Sequence, residues 1–251
     1  MRSMCETSVA AGVCRLSLSG RWLATGPDGG YRDGDAAYNI SVPEGFERTD
    51  LGDYATERLT SAGFQRDGPA LFTGVDMDRA RGARSGPVTT VATVGLSNPA
   101  RLPVHGPPRE SGPELDTENG AVDPTRGTVN LLLATTRALS DGALATLLAT
   151  AVEAKAATLC AVTGFSGTTT DAVAVGSAPE GEKSEFAGSA TDLGAAARVC
   201  VRDSVLASLE AHSEPPPASV AEADHGVLTG GSVKPFRPEE TGNVRDHQYT
   251  E

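Results

Sequence analysis

At 251 residues with 39% hydrophobic side chains, the chain is long enough to bury a substantial core, as one large domain or two small ones. No continuous apolar run approaches the length of about 18 residues that a spanning helix needs, so no membrane crossing is expected. A formal net charge of −12 and a pI near 4.8 repel a phosphate backbone and exclude nucleic acid as a natural partner.

Of the basic residues, only Lys155, Lys183 and Lys234 are lysines. An acidic excess with scarce lysine and 4% aromatics is what a high-salt cytoplasm would select, because carboxylates keep a hydrated surface under strong screening. A GC-rich coding bias would produce the same exchange of Lys for Arg. The start of the chain lacks an apolar signal core, which predicts a cytoplasmic protein. Cys5, Cys14, Cys160 and Cys200 share no metal-ligand spacing and read as reduced, mostly buried thiols.

In chain order, alternation over 9–22 predicts a strand, followed by the turn-rich loop Leu23-Ala-Thr-Gly-Pro-Asp-Gly-Gly30. That loop either turns backbone N–H groups toward a ligand or is a plain surface connection. A second strand is read at 36–42, a short helix at 51–62, an apolar segment of either type at 70–77, and a β-branched strand at 88–96. Residues 103–126 carry Pro, Gly and acids without periodicity and read as an inserted loop.

The most informative stretch runs from Gly127 to Asp171. Val129, Leu131, Leu132 and Leu133 form the continuous apolar run of a strand covered on both faces. Ser140 supplies an N-cap, Asp141 a negative charge in the first helical turn, and no Gly or Pro interrupts 143–162. A strand at 172–178 and a last helix at 190–211 follow, and 213–251 reads as an acidic, Pro/Gly-rich disordered tail. The expectation is a single-domain α/β (α+β) fold over 1–212, with a layered mixed or antiparallel sheet packed with helices.

Chemistry concentrates on the long helix and the turn after it. Projected at about 100° per residue, Lys155 falls within the apolar stripe, where it must snorkel, pair with a carboxylate, or reach a site with its tip. Glu153 lies on the opposite, small-residue face, either in a site or as part of a solvated helix back. The turn Gly164-Phe-Ser-Gly-Thr-Thr-Thr-Asp171 offers three hydroxyls and a carboxylate. It matches neither a phosphate-binding loop, nor a dinucleotide fingerprint, nor a Gly-x-Ser-x-Gly elbow. His212, His225 and His247 sit at or past the last helix, and His105 lies in the Pro-rich loop, which argues against a Ser-His-Asp triad or a His-rich zinc site.

Taken together, Leu23-Ala-Thr-Gly-Pro-Asp-Gly-Gly30, Phe72-Thr-Gly-Val-Asp-Met77, Thr93-Val-Gly-Leu-Ser-Asn98, Gly127-Thr-Val-Asn130, Leu139-Ser-Asp-Gly-Ala143, Thr150-Ala-Val-Glu-Ala-Lys155 and Thr168-Thr-Thr-Asp171 resemble the adenosylcobinamide amidohydrolase family. The resemblance runs in consistent order over about residues 15–211, and is most specific from Gly127 to Asp171. Two features depart from the family pattern: the 103–126 loop is longer, and Ser166-Gly-Thr-Thr-Thr replaces a more Gly-rich turn. The resemblance implies hydrolysis of the amide between the aminopropanol arm and the corrin ring, giving adenosylcobyric acid and aminopropanol in corrinoid salvage. It implies a small-molecule corrinoid as partner; no cofactor beyond the cobalt that the substrate carries and no metal-site residues are assigned, and a metal requirement is left open. A homo-oligomer is left open.

An amide hydrolase without a usable histidine needs a base or nucleophile, an oxyanion donor and an acid for the leaving amine. Glu153 and Asp171 are the candidate bases, Asn98 and Asn130 the side-chain donors, and Lys155 the charge stabiliser or proton donor. A nucleophile among Thr168, Thr169 and Thr170, activated by Lys155, is the other route. The substrate-binding candidates are Gly29, Gly30, Asn98, Asp141, Thr168 and Trp22, the last with Tyr31 and Tyr38 as the aromatics nearest the first Gly-rich loop.

Overall fold

The computed structural model describes residues 5–103, 127–223, 225–230 and 233–238. Its N-terminal half is β1 (Glu6–Ala10), β2 (Val13–Ala24), β3 (Gly30–Ser41), α1 (Leu51–Ser61), β4 (Ala70–Thr73), β5 (Arg81–Ser85), β6 (Val88–Val94) and β7 (Pro99–Arg101). The C-terminal half is β8 (Val129–Thr135), β9 (Ala138–Leu139), α2 (Asp141–Thr163), β10 (Gly167–Thr168), β11 (Ala172–Ser177), β12 (Lys183–Ser184), α3 (Asp192–Glu210) and β13 (Val227–Leu228). The main sheet has the order β4-β3-β2-β11-β8-β6-β5, with β1 paired to β2. It is mixed, as expected: β8 and β11 are parallel, as are β3 and β4, while the β2–β3, β2–β11, β6–β8 and β5–β6 pairs are antiparallel.

Two crossover helices follow from those parallel pairs, α1 between β3 and β4 and α2 between β8 and β11. Alternate residues of β8 point to opposite faces. Val129, Leu131 and Leu133 face α2 and α3, where Leu144, Leu147, Ala151, Leu159, Leu193, Ala197 and Val201 complete the larger core. Leu132 and Ala134 face an inner layer with Leu16, Leu18, Trp22, Leu71 and Val91. A register break between Ser17 and Gly20 bends the β2–β3 hairpin. The outer half of the hairpin thereby folds over β8 although β3 and β8 are not sheet neighbours. Asn130 Nδ2 donates to Asn39 Oδ1 at 2.9 Å, Asn39 Nδ2 to Thr93 Oγ1 at 2.8 Å, and Thr128 pairs with Thr73.

At 23 residues, α2 is long and apolar enough to cross a membrane by length and composition, although Glu153, Lys155 and several threonines interrupt its apolar run. In this fold it is a covering helix, with Leu144, Leu147, Ala151, Lys155 and Leu159 buried. Ser140 Oγ accepts from Ala143 N at 3.2 Å, giving the expected N-cap. Gly164 ends the helix at φ 77°, a left-handed position where a β-carbon is disfavoured.

The expected structureless tail is corrected for its described part. Past α3 the chain returns to the sheet, forms a short 3₁₀ turn at Val220–Glu222, and pairs β13 with β7 in parallel. Residues 239–251, the 104–126 stretch and His105 and His247 lie outside the described residues.

Candidate active site

The turn between α2 and β11 is built around Asp171. Its Oδ1 accepts from Val129 N at 2.9 Å, Thr168 N at 3.2 Å and Thr168 Oγ1 at 2.5 Å, while Oδ2 accepts from Thr168 N at 3.2 Å and pairs with Lys155 Nζ. The two charged side chains are only 7% and 13% exposed. Such burial is tolerated because an opposite charge and fixed N–H donors meet the carboxylate together. The lysine in the apolar stripe therefore resolves as a pair with a carboxylate. Gly167 is required here by space, since a β-carbon would overlap Asp171 Oδ2 and lie 3.1 Å from Lys155 Nζ.

Thr168 is buried behind that pair, whereas Thr169 is exposed. Asn98 Nδ2 donates to Thr169 Oγ1 at 2.7 Å, and Thr169 N donates to Asn98 O at 3.3 Å. A hydroxyl oxygen that accepts from an amide keeps its own O–H available to donate. Asn98 is 1% exposed and its buried Oδ1 has no partner among the described residues, leaving an acceptor unmet beside the only exposed hydroxyl of the threonine triplet. Thr170 Oγ1 donates to Gly127 O at 3.3 Å. On the other side, β7 holds the turn through its pairing with β10.

Of the predicted residues, Lys155, Asp171, Thr168, Thr169 and Asn98 converge. The first Gly-rich loop approaches the same end of the sheet, where Thr25 N donates to Val173 O at 2.9 Å and Val173 N to Thr25 Oγ1 at 3.0 Å; Gly29 and Gly30 are exposed there.

Other predicted residues are taken up by the core or lie elsewhere. Asn130 is 1% exposed and fully used: Nδ2 donates to Asn39 Oδ1 and to Phe72 O at 2.8 Å, and Oδ1 accepts from Ala172 N at 3.1 Å. It clamps the inner layer and is reassigned from the site to the core. Trp22 is 0% exposed, with Nε1 donating to Leu18 O at 3.1 Å, so it offers no face to a corrin ring. Tyr38 is likewise buried, with its OH on Gln65 O, whereas Tyr31 is partly exposed. Glu153 pairs with Arg198 on α3 at 2.9 Å, on the side of α2 away from Lys155. Asp141 pairs with Arg21 at 3.2 Å at the start of α2, roughly 21 Å of helix from Lys155 at 1.5 Å per residue.

Three residues were not found from sequence. His212, which the sequence places at the end of the last helix and outside the site, donates from Nε2 to Val94 O at 2.5 Å and accepts at Nδ1 from Arg79 NH1 at 3.0 Å. A carbonyl can only accept and a guanidinium only donate, so these partners fix the neutral Nε2–H tautomer. Burial holds its pKa below the usual 6.5, and the Arg79 charge adds to this. His212 and Arg79 line a cavity of about 370 Å³ with Gly95, Ser97, Gly127 and Glu214. Ser97, the third, accepts from Gly127 N at 2.6 Å through Oγ. No sequence signal links His212 to the end of β6, because only the path of the chain after α3 brings it there.

Among the described residues, no three His, Cys, Asp or Glu side chains group as a metal set would. Burial pushes the Cys14 and Cys200 thiols up to about 11, which keeps them protonated and poor as nucleophiles.

A model of the family described as adenosylcobinamide amidohydrolase matches residues 5–217. A relative from Halobacterium salinarum bearing the name adenosylcobinamide amidohydrolase is 48% identical over 238 residues, 94% of this chain and 100% of the relative. Another of the same name from Methanosarcina mazei is 26% identical over 202 residues, 76% of this chain and 91% of the relative.

Proposed function

We propose, from the premise that this chain belongs to the adenosylcobinamide amidohydrolase family, that it hydrolyses the aminopropanol amide of adenosylcobinamide to adenosylcobyric acid and aminopropanol. The observation that carries the reading in this chain is the braced turn: Thr169 exposed on Asn98, backed by the buried Lys155–Asp171 pair.

In this arrangement Thr169 Oγ–H donates to the scissile carbonyl oxygen as negative charge develops on it. Asn98, Lys155 and Asp171 are positioning residues. The alternative of Thr169 as a nucleophile activated by Lys155 is less well supported, because the ammonium is taken up by Asp171. Neither candidate base is freely disposed, since both Asp171 oxygens are engaged and Glu153 lies with Arg198. The free thiols, three of them buried, support a cytoplasmic setting. The acidic composition and the Halobacterium relative support a high-salt one.

The test is incubation of the full chain with adenosylcobinamide at high KCl, followed by chromatography. Free aminopropanol and the shorter acid are expected. Bound but intact ligand would instead make the protein a corrinoid binder, and indifference to corrinoids with turnover of simple amides would make it a hydrolase of another class.

A further inference from the structure

The cavity beside the braced turn is walled on one side by the chain that follows α3. That segment is held at both ends. His212 sits between Arg79 and Val94 O. β13 lies on β7 with Val227 opposite Ala100, and Thr229 N donates to Arg101 O at 3.0 Å. Because β7 also pairs with β10, the threonine turn and the returning segment flank one strand. Ser97 and Gly127, in the cavity wall, adjoin Asn98 and accept from Thr170, respectively. An amide whose carbonyl sits at Thr169 therefore has this cavity next to it.

We infer that the cavity receives the amino-alcohol end of the substrate and retains it as the leaving amine, an inference that rests on the hydrolase reading above. At about 370 Å³ it lies at the lower end of ligand pockets, which span about 300–1,000 Å³. That is room for a short arm with its amide and hydroxyl and too little for a corrin macrocycle.

Its polar groups are of two kinds. Arg79 spends one N–H on the neutral His212, and its guanidinium, lining the cavity, is a donor for an alcohol oxygen. Glu214 and Glu222 line the same space, and Glu222 Oε2 also accepts from Ala218 N at 3.1 Å. A carboxylate beside a nitrogen that gains a proton as the C–N bond breaks favours the ammonium form of the departing amine. A guanidinium donor and carboxylate acceptors lining one cavity match an amino alcohol better than a plain amine. His212 positions Arg79 and ties down the wall.

The test measures binding of 1-amino-2-propanol, and of propylamine as a control, to the full chain by saturation-transfer NMR, with adenosylcobinamide turnover followed in parallel. Aminopropanol should bind, propylamine should bind about tenfold more weakly, and Arg79→Met and Glu214→Gln should each weaken aminopropanol binding about tenfold, the worth of one charge-assisted hydrogen bond. Absence of binding, or affinity unchanged in both variants, overturns the inference even if turnover is normal. Binding that is lost in the variants, without corrinoid turnover by the unaltered protein, would leave the amino-alcohol site standing and overturn the hydrolase reading instead.

Discussion

Lys155 and Asp171, sixteen residues apart, form an ion pair whose side chains are 7% and 13% exposed. The helix and the turn after it are thereby joined below the exposed Thr169. Removing one member leaves the other charge buried, which typically costs about 3–5 kcal/mol. Lys155→Met is therefore expected to lose stability on that scale and to lose turnover with it. The double variant Lys155→Met/Asp171→Asn should be less destabilised than the sum of the two single changes, because no lone charge remains. Denaturant titration of the three variants checks this, and strict additivity would show that the pair is not coupled.

Trp22 was expected to bind substrate and is buried in the inner layer, with its indole N–H shared between Leu18 O at 3.1 Å and Gly34 O at 3.3 Å. Trp22→Phe should cost about 1–3 kcal/mol through lost volume and the unmet carbonyls. At a temperature where the variant is folded, the KM for adenosylcobinamide should be unchanged. A large rise in KM with intact stability would return the residue to the site.

His212 gives a pH signature. Its pKa is held below the unfolded value near 6.5, chiefly by burial, so the folded state disfavours the protonated form. The stability it contributes is present above about pH 6.5 and is lost as pH falls through the lower folded value. Protonation also takes away the acceptor that Nδ1 offers to Arg79. The difference in stability between the unaltered protein and His212→Gln should shrink as pH drops below that window, and a difference that is flat with pH would contradict the tautomer assignment.

The long helix, its Ser140 cap, the flanking strands and the placement of Lys155 in an apolar stripe were legible because each rests on local pattern. The same pattern could say that Lys155 must snorkel, pair with a carboxylate or reach a site with its tip, and only the fold shows Asp171 to be that carboxylate. It could not separate Thr169 from Thr168, since only the fold turns one outward and buries the other. Asn130 and Asn98 look alike in sequence, yet the bent β2–β3 hairpin covers Asn130 with Asn39 and leaves Asn98 beside the turn. Trp22 was misread because burial on the inner layer depends on that same bend. The return of the chain after α3 was hidden by a composition rich in Pro and acids, which usually marks disorder.

The central claim, that Thr169 on its Asn98 support carries the hydrolysis, is tested most directly by the kcat of Thr169→Val with adenosylcobinamide, measured beside Thr169→Ser. Removal of one donor to a developing oxyanion typically costs about 10²–10³ in kcat, so Thr169→Val should fall by that factor with little change in stability, and Thr169→Ser should recover most of it. Turnover by a folded Thr169→Val protein within about threefold of the unaltered one, far short of that loss, would contradict the account.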